Sequence, residues 1–246
     1  MTASEIRTEI SNFGVALLRS GLAATINLPI ITENNRGVRI TWPAAVNQGS
    51  GRFSDLPFAS ITEYRSSILQ NHYVALLKDG AFLQISADVA GEDLVGHRYC
   101  YYPCPVLLPA EFDVLDFDSL DLYLMDELDE HVRAIENKRP RFGEQLRMRS
   151  PLRFDFAPHA ATQIEPACHL HLSNHDTRIP VHAPLSLGDF VQFVFRNFYP
   201  QIWEDESYRE ATRWPVRVRN RTITEDEEVR FHINCRRTIA PPERTT

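Results

Sequence analysis

The chain has 246 residues, of which 43% are hydrophobic and 24% are charged. No apolar run approaches the roughly 18 residues that a membrane span requires, so the sequence predicts a globular protein without a membrane partner. Acidic residues outnumber basic ones by 33 to 26, giving a net charge of −7. A negative chain repels nucleic acid, so any contact with it has to be local.

The compartment is predicted from the N-terminus and the cysteines. The first residues lack the basic and apolar regions of a secretory signal, and the 4 cysteines are too few for a disulfide scaffold. We therefore expect a reducing, cytoplasmic location. All bases except Lys78 and Lys138 are arginines, whose forked guanidinium groups suit paired binding of carboxylates or phosphates.

The N-terminal third predicts a helix, a strand and a hairpin. Thr2 and Glu5 form a capping box ahead of an amphipathic helix that ends near Gly21. Residues 37–42 alternate like a strand, and residues 47–55 read as a polar loop.

The hairpin is predicted over residues 73–86, where two runs typical of strands meet at Asp79 and Gly80. This dipeptide favours a two-residue type I′ turn. Such a turn would place Leu76 opposite Leu83.

Charge is unevenly distributed over the second half of the chain. Residues 111–130 contain nine acids and no base, with leucines at helical spacing, which predicts a helix with an acidic outer face. Two basic segments follow, residues 138–153 and 209–221. We expect them to contact an anionic partner, with these side chains as candidate ligand contacts: Arg147, Arg149, Arg153, Arg217 and Arg219. Alternatively, the charges neutralise neighbouring acids or are simply solvated.

Towards the C-terminus, Ser186 and Asp189 begin a helix that is apolar nearly all round, stops at Pro200 and is therefore expected to be buried. Residues 229–234 suggest a last strand, and residues 237–246 a frayed tail. We predict one α+β domain over residues 1–246, with a mixed or mainly antiparallel sheet and at least three helices. Regular βαβ alternation, a phosphate loop and a dinucleotide fingerprint are all missing, which disfavours nucleotide hydrolysis and hydride transfer.

The main candidate site lies in three short segments read as strands: residues 152–156 (LRFDF), 168–172 (CHLHL) and 178–182 (RIPVH). Alternation places the polar residues of each segment on one face and the apolar residues on the other. If the strands are sheet neighbours, one face collects Arg153 together with the five candidate catalytic residues Asp155, His169, His171, Arg178 and His182.

This set of residues is open to several interpretations. Metal-free phosphodiester cleavage would use one histidine as base and another as acid, with Arg178 holding phosphate. Alternatively, the two histidines and Asp155, with His175 or His182, would hold zinc or manganese, although no metal site is assigned and the cofactor stays unknown. In a purely structural role, the histidines bond the backbone and Asp155 pairs with an arginine. A zinc site of Cys100, Cys104, Cys168 and His169 is a further alternative with unusual spacing.

The segment from residue 166 to residue 200, PACHLHLSNHDTRIPVHAPLSLGDFVQFVFRNFYP, resembles an uncharacterised bacterial domain-of-unknown-function family. The hairpin at residues 79–85 and YCYYPCP at residues 99–105 resemble its earlier blocks, so the resemblance covers about residues 60–200. It implies a bacterial intracellular protein of a type associated with mobile or defence islands. It supplies no activity and therefore no catalytic residue.

From these observations we expect an intracellular accessory protein that binds a phosphate-bearing ligand, with nucleic acid the first candidate, through the His/Arg face. A nuclease or phosphodiesterase using the same face is the alternative, so enzymatic activity is left open. A third reading is a protein adaptor that contacts a protein partner of the same system through the acidic helix.

Overall fold

The computed structural model describes residues 1–34, 37–43, 61–136, 150–162, 164–172, 176–217 and 219–234. Three expected features lie outside the described residues, namely the polar loop at 47–55, the basic side chains Arg147 and Arg149, and the tail at 237–246.

The described residues form helices around one sheet, as the α+β prediction requires. The helices are α1 (Ala3–Arg19), α2 (Ile61–Leu69), α3 (Phe117–Glu136), α4 (Leu187–Phe198), α5 (Pro200–Glu204), α6 (Arg209–Thr212) and α7 (Glu225–Glu228). The strands are β1 (Ala23–Ile26), β2 (Ile30–Asn34), β3 (Gly37–Thr41), β4 (Ala75–Leu77), β5 (Phe82–Ala90), β6 (Asp93–Tyr102), β7 (Leu152–Phe156), β8 (Cys168–Leu172) and β9 (Ile179–Pro180).

The sheet is built on β5 and β6, its two longest strands. Its order is β1-β4-β5-β6-β7-β8-β9, and β3, which carries β2, pairs with the second half of β5. Every strand pairing among the described residues is antiparallel, which confirms the mainly antiparallel expectation. The edge strand β9 tolerates Pro180 because a proline can occupy an edge without breaking an interior ladder.

The hairpin between β4 and β5 forms, but its turn is not the predicted one. The N–H of Gly80 bonds the carbonyl of Leu77, and the N–H of Leu77 bonds the carbonyl of Ala81, so the loop has three residues. Gly80 alone in this loop has a positive φ, +82°, whereas type I′ requires positive φ at two residues. The register therefore shifts, and Leu83 lies opposite Ala75 rather than Leu76.

Helices cover both faces of the sheet. On one face, α1 and α4 pack through buried side chains such as Phe13 and Phe190 against Tyr99 and Phe154 of the sheet. Each of these helices begins with a capping box, formed at α1 by Thr2 and Glu5 and at α4 by Ser186 and Asp189. The predictions for both helices are confirmed.

On the other face, α2 and α3 pack on Phe82, Cys100 and Tyr102 through buried residues including Tyr64 and Leu124. The acidic helix thus forms, but it begins at Phe117 rather than near residue 111. Strand neighbours alternate between these two cores, so Arg98, two residues before Cys100, lies on the same face as α2 and α3.

The expected last strand at residues 229–234 is wrong. Thr224 and Glu227 form a capping box for the short helix α7, and the chain then makes a single bridge between Ile233 and Val181. A run of negative side chains at a helix N-terminus is stabilised by the helix dipole, which favours the helix here.

Candidate functional site

The site is positioned by the register of β7 and β8. Arg153 lies opposite His171, and Asp155 lies opposite His169, so four polar side chains fall on one face of two adjacent strands. We call Asp155, His169 and His171 the histidine cluster. Their potential ligand atoms all lie within 4.8 Å of one another, and the three residues are 5%, 1% and 2% exposed.

Two guanidinium groups converge on the Asp155 carboxylate. Arg98 donates from Nε to Oδ1 at 2.9 Å and from Nη2 to Oδ2 at 3.1 Å. Nε of Arg153 lies 3.1 Å from Oδ2. A forked pair of this kind fixes both the carboxylate and the arginine, so Asp155 holds a rigid position.

The two histidines face each other through their Nε2 atoms, which are 2.9 Å apart. Nδ1 of His169 lies 2.6 Å from the carbonyl oxygen of Pro166, so this nitrogen carries the proton and donates it to that carbonyl. The Nε2 lone pair of His169 therefore points towards His171. Nε2 of His171 also lies 3.5 Å from Oδ2 of Asp155, which links all three members of the cluster.

Burial sets the protonation of the cluster. Burial alone would raise the pKa of Asp155, but the charges of Arg98 and Arg153 and the contact with His171 hold that pKa well below its usual range. Burial lowers the pKa of His169 and of His171, while Asp155 acts in the opposite direction on both. Near neutral pH the cluster is therefore one carboxylate beside two neutral imidazoles, whose unprotonated nitrogens can accept a proton or bind a metal.

Arg178 lies at the rim of the cluster, immediately before β9. Its positive charge helps to lower the pKa of His171, after the larger effect of burial. Nε of Arg178 lies 3.5 Å from Glu165, and Nη1 lies 3.4 Å from the carbonyl of Asp176. Its buried Nε atom has no hydrogen-bond partner in the part of the chain that the structure describes.

His182 is positioned elsewhere, although it continues the alternation of β9. Its backbone bonds Thr222 and Ile233, and its ring centre lies 6.3 Å from that of His232. It does not belong to the group of mutually close ligand atoms found in the described chain. The convergence of five residues is thus reduced to Asp155, His169 and His171, with Arg178 beside them. His175 lies outside the described residues.

The three expected basic ligand contacts that the structure describes do not gather on one surface. Arg153 contacts Asp155 of the cluster, whereas Arg217 lies 3.6 Å from Glu9 of α1 and Arg219 contacts the sulfur of Met1. Both of these arginines lie on the face of the sheet that α1 covers, whereas the cluster lies on the opposite face. Since a β-sheet separates the two sets, they cannot act on one small ligand.

The cysteine and histidine zinc alternative also fails. Cys100 belongs to the core under α2 and α3, and Cys168 to the core under α1 and α4, so the sheet lies between them. The described cysteines Cys100, Cys104 and Cys168 are all buried, and no disulfide joins them to one another.

Sequence reasoning missed Arg98, the main partner of Asp155. It comes from β6, 57 residues earlier in the chain, and reaches Asp155 because the two residues are opposite each other in the β6 and β7 pairing. Alternation in the segment HRYCYY places Arg98 on the same face as Cys100 and Tyr102. This alternation can be seen in the sequence, but the sequence does not show that β6 pairs with β7.

Comparisons with known proteins agree with the resemblance seen in the sequence. No helix among the described residues combines the length and apolar character needed to cross a membrane. Searches of curated proteins and of solved structures found no match to this chain. The model of one family, described as an uncharacterized conserved protein (DUF2290), matches residues 22–235, a wider span than residues 60–200. That match covers most of the chain, and the protein therefore belongs to the DUF2290 family.

Proposed function

We propose that this protein binds a phosphate-bearing ligand, with nucleic acid the first candidate, at the arginines that surround the histidine cluster. The observation that carries the proposal is that Arg178 makes only long contacts with its described neighbours. Its positive charge acts on His171, and its described contacts, to Asp176 and Glu165, are 3.4 Å or longer. Guanidinium groups form short bidentate bonds with phosphate when one is present.

Arg98 and Arg153 support the same proposal through charge and rigidity. One carboxylate, Asp155, contacts both guanidinium groups and holds them close together, where an anion would meet two positive charges. Glu63 of α2 also acts on Arg153 and offsets part of its charge. The side chains of Arg98 and Arg178 are 29% and 26% exposed, so a ligand can reach them although the histidines are buried.

The test is binding of a short fluorescein-labelled single-stranded DNA, measured by fluorescence polarisation over a range of salt concentrations. We expect Arg178→Ala to weaken binding by about ten- to hundredfold, because a hydrogen bond to a charged group contributes about 1.5–3 kcal/mol. The slope of log affinity against log salt should fall by about 0.7, the value for one contact to a single strand.

Arg196→Ala is the matched control, because it removes an exposed arginine of the same charge from α4, which lies across the sheet from the cluster and outside both basic segments. It should bind like the wild type. Equal binding by Arg178→Ala and the wild type would overturn the proposal, as would no binding of any variant at low salt.

A second candidate, phosphodiester hydrolysis, is favoured by the tautomer of His169. The Pro166 carbonyl holds the proton on Nδ1 of His169, and the Nε2 atoms of both imidazoles meet beside Asp155. A neutral imidazole held in this way acts as a general base. Release of 4-nitrophenolate from bis(4-nitrophenyl) phosphate, abolished in His171→Gln but retained in His72→Gln, would support an enzyme. A rate equal to that of buffer in the wild type would exclude it for this substrate.

The proposed location is the cytoplasm, supported by described cysteines that are not joined to one another by disulfides. A bacterial origin, a role in defence or mobile-element systems, and an adaptor role for the acidic helix stay predictions.

A further inference from the structure

The donor set of the histidine cluster is that of a transition-metal site. Two imidazole nitrogens and one carboxylate oxygen lie within 4.8 Å of one another, and they come from adjacent strands rather than from loops. Imidazole and carboxylate suit divalent metals such as zinc, iron, cobalt and manganese. Two histidines with one carboxylate leave further coordination positions open for water or substrate.

Two of the three donor distances agree with one ion between the three atoms. The third pair, His169 and Asp155, lies within 4.8 Å and would have to approach to about 4.1 Å or less to share that ion. With metal–nitrogen bonds of about 2.05 Å, the 2.9 Å between the two Nε2 atoms corresponds to an angle of about 90° at the metal. With a similar metal–oxygen bond, the 3.5 Å from Nε2 of His171 to Oδ2 of Asp155 corresponds to about 115°. The first angle favours five or six ligands over a tetrahedral four, which would place the nitrogens about 3.3 Å apart.

The surroundings of the donors are those expected of metal ligands. A ligating histidine usually donates its other ring N–H to a carbonyl or carboxylate, which fixes the ring and its tautomer. His169 does this with the Pro166 carbonyl at 2.6 Å. Asp155 is likewise held by Arg98 through two hydrogen bonds, so its orientation is set before any ion arrives.

We infer that His169, His171 and Asp155 bind one divalent transition-metal ion, and that the phosphate of the proposed ligand completes its coordination. This inference rests on the proposed function only for the phosphate. The metal alone is a separate claim about three side chains.

Charge explains why the two ligands are expected to bind together. The guanidinium groups of Arg98 and Arg153 lie within 3.1 Å of the Asp155 carboxylate, and they repel a cation placed beside it. An anion that contacts both the metal and Arg178 relieves this repulsion. By thermodynamic linkage, phosphate must then raise metal affinity by the same factor as metal raises phosphate affinity.

The experiment is titration of chelator-treated, desalted full-length protein with Co²⁺, followed by its visible absorption, which reports coordination number. We expect saturation at one ion per chain, with the weak bands of a five- or six-coordinate ion. Zn²⁺ should displace the Co²⁺ and abolish the bands. Inorganic phosphate should tighten Co²⁺ binding at least severalfold.

Variants assign the ligands. His169→Gln and His171→Gln should each weaken Co²⁺ binding more than tenfold, whereas His72→Gln, a change at a half-buried histidine before β4, should not. Circular dichroism checks that each variant folds. In Arg178→Ala, Co²⁺ should still bind, but the effect of phosphate should disappear.

The outcomes separate the two claims. Wild-type protein that takes up no Co²⁺, Mn²⁺ or Zn²⁺ overturns the metal site, whatever its variants do, and identifies the 2.9 Å contact as a hydrogen bond between two imidazoles. Metal binding that phosphate does not change, with no phosphate binding detected, overturns the proposed function and leaves the metal site standing.

Discussion

Replacing His97 with glutamine should make the folded protein less sensitive to acid. His97 lies in β6 on the side of α1 and α4, where it is 5% exposed and its ring stacks on Tyr99 at 4.4 Å. Its Nε2 accepts a hydrogen bond from the N–H of Leu185 at 3.1 Å. Burial lowers the pKa of His97 to about 3, because protonation would place a charge in the core and an N–H against the N–H of Leu185.

The size of the effect follows from proton linkage. In the unfolded chain the histidine has a pKa of about 6.5, so between pH 3 and about pH 6.5 the unfolded state binds more protons and stability rises with pH. Proton uptake by this histidine in the unfolded chain lowers the free energy of unfolding by about 1.4 kcal/mol at about pH 5.5 compared with about pH 8. This value holds for any folded pKa well below 5.5. His97→Gln removes this contribution while keeping an acceptor for Leu185.

The assay is urea unfolding of both proteins at several pH values, followed by tryptophan fluorescence. His97→Gln should lower the free energy of unfolding by about 1–3 kcal/mol at about pH 8. This difference between variant and wild type, the stability gap, should shrink by about 1.4 kcal/mol at about pH 5.5. Other histidines are present in both proteins and cancel in the difference. Phe156→Leu, a change at a neighbouring residue that does not titrate, should show a constant gap. A gap for His97→Gln that stays constant or widens on acidification would refute the reasoning.

Three further predictions concern the fold. Gly188→Ala should lower the melting temperature sharply, because the added Cβ would overlap the carbonyl oxygen of Pro215. Gly14→Ala should be neutral or stabilising, because the nearest atom to its added Cβ is 3.5 Å away. Equal melting temperatures of the two variants would contradict this prediction. Ser186→Ala should cost about 1 kcal/mol in urea unfolding through loss of the α4 cap, and no cost would count against that role. Asp155→Asn should cost about 3–5 kcal/mol because it removes the buried carboxylate that Arg98 and Arg153 both contact, so a stable Asp155→Asn protein would show that the network is not structural.

Local pattern predicted those parts of the fold whose information is local. The capping boxes at Thr2 and Ser186 lie within four residues of sequence and were read correctly. The Asp79-Gly80 pair was read as a hairpin, but the dipeptide also suits a three-residue loop with Gly80 at positive φ, and only tertiary pairing decides between them. The helices α2 and α7 were missed because both are short.

The site was predictable as far as strand alternation reaches. The alternation of side chains along each strand predicted Asp155, His169 and His171 on one face, and the pairing of β7 with β8 brings them together. Arg98 was missed because sheet order is a long-range property that no single segment contains. His182 was misplaced because β9 ends at Pro180, and its backbone is then directed by residues 222–233.

The most direct test of the account is long-range ¹H–¹⁵N NMR of the imidazoles in protein labelled with ¹⁵N-histidine and titrated with inorganic phosphate. The account predicts that His169 starts with its proton on Nδ1, and that the Nε2 signals of His169 and His171 shift in a saturable way. The His97 signals should stay unchanged on the opposite face. Cluster signals that do not move at saturating phosphate, or that move equally in Arg178→Ala, would contradict it.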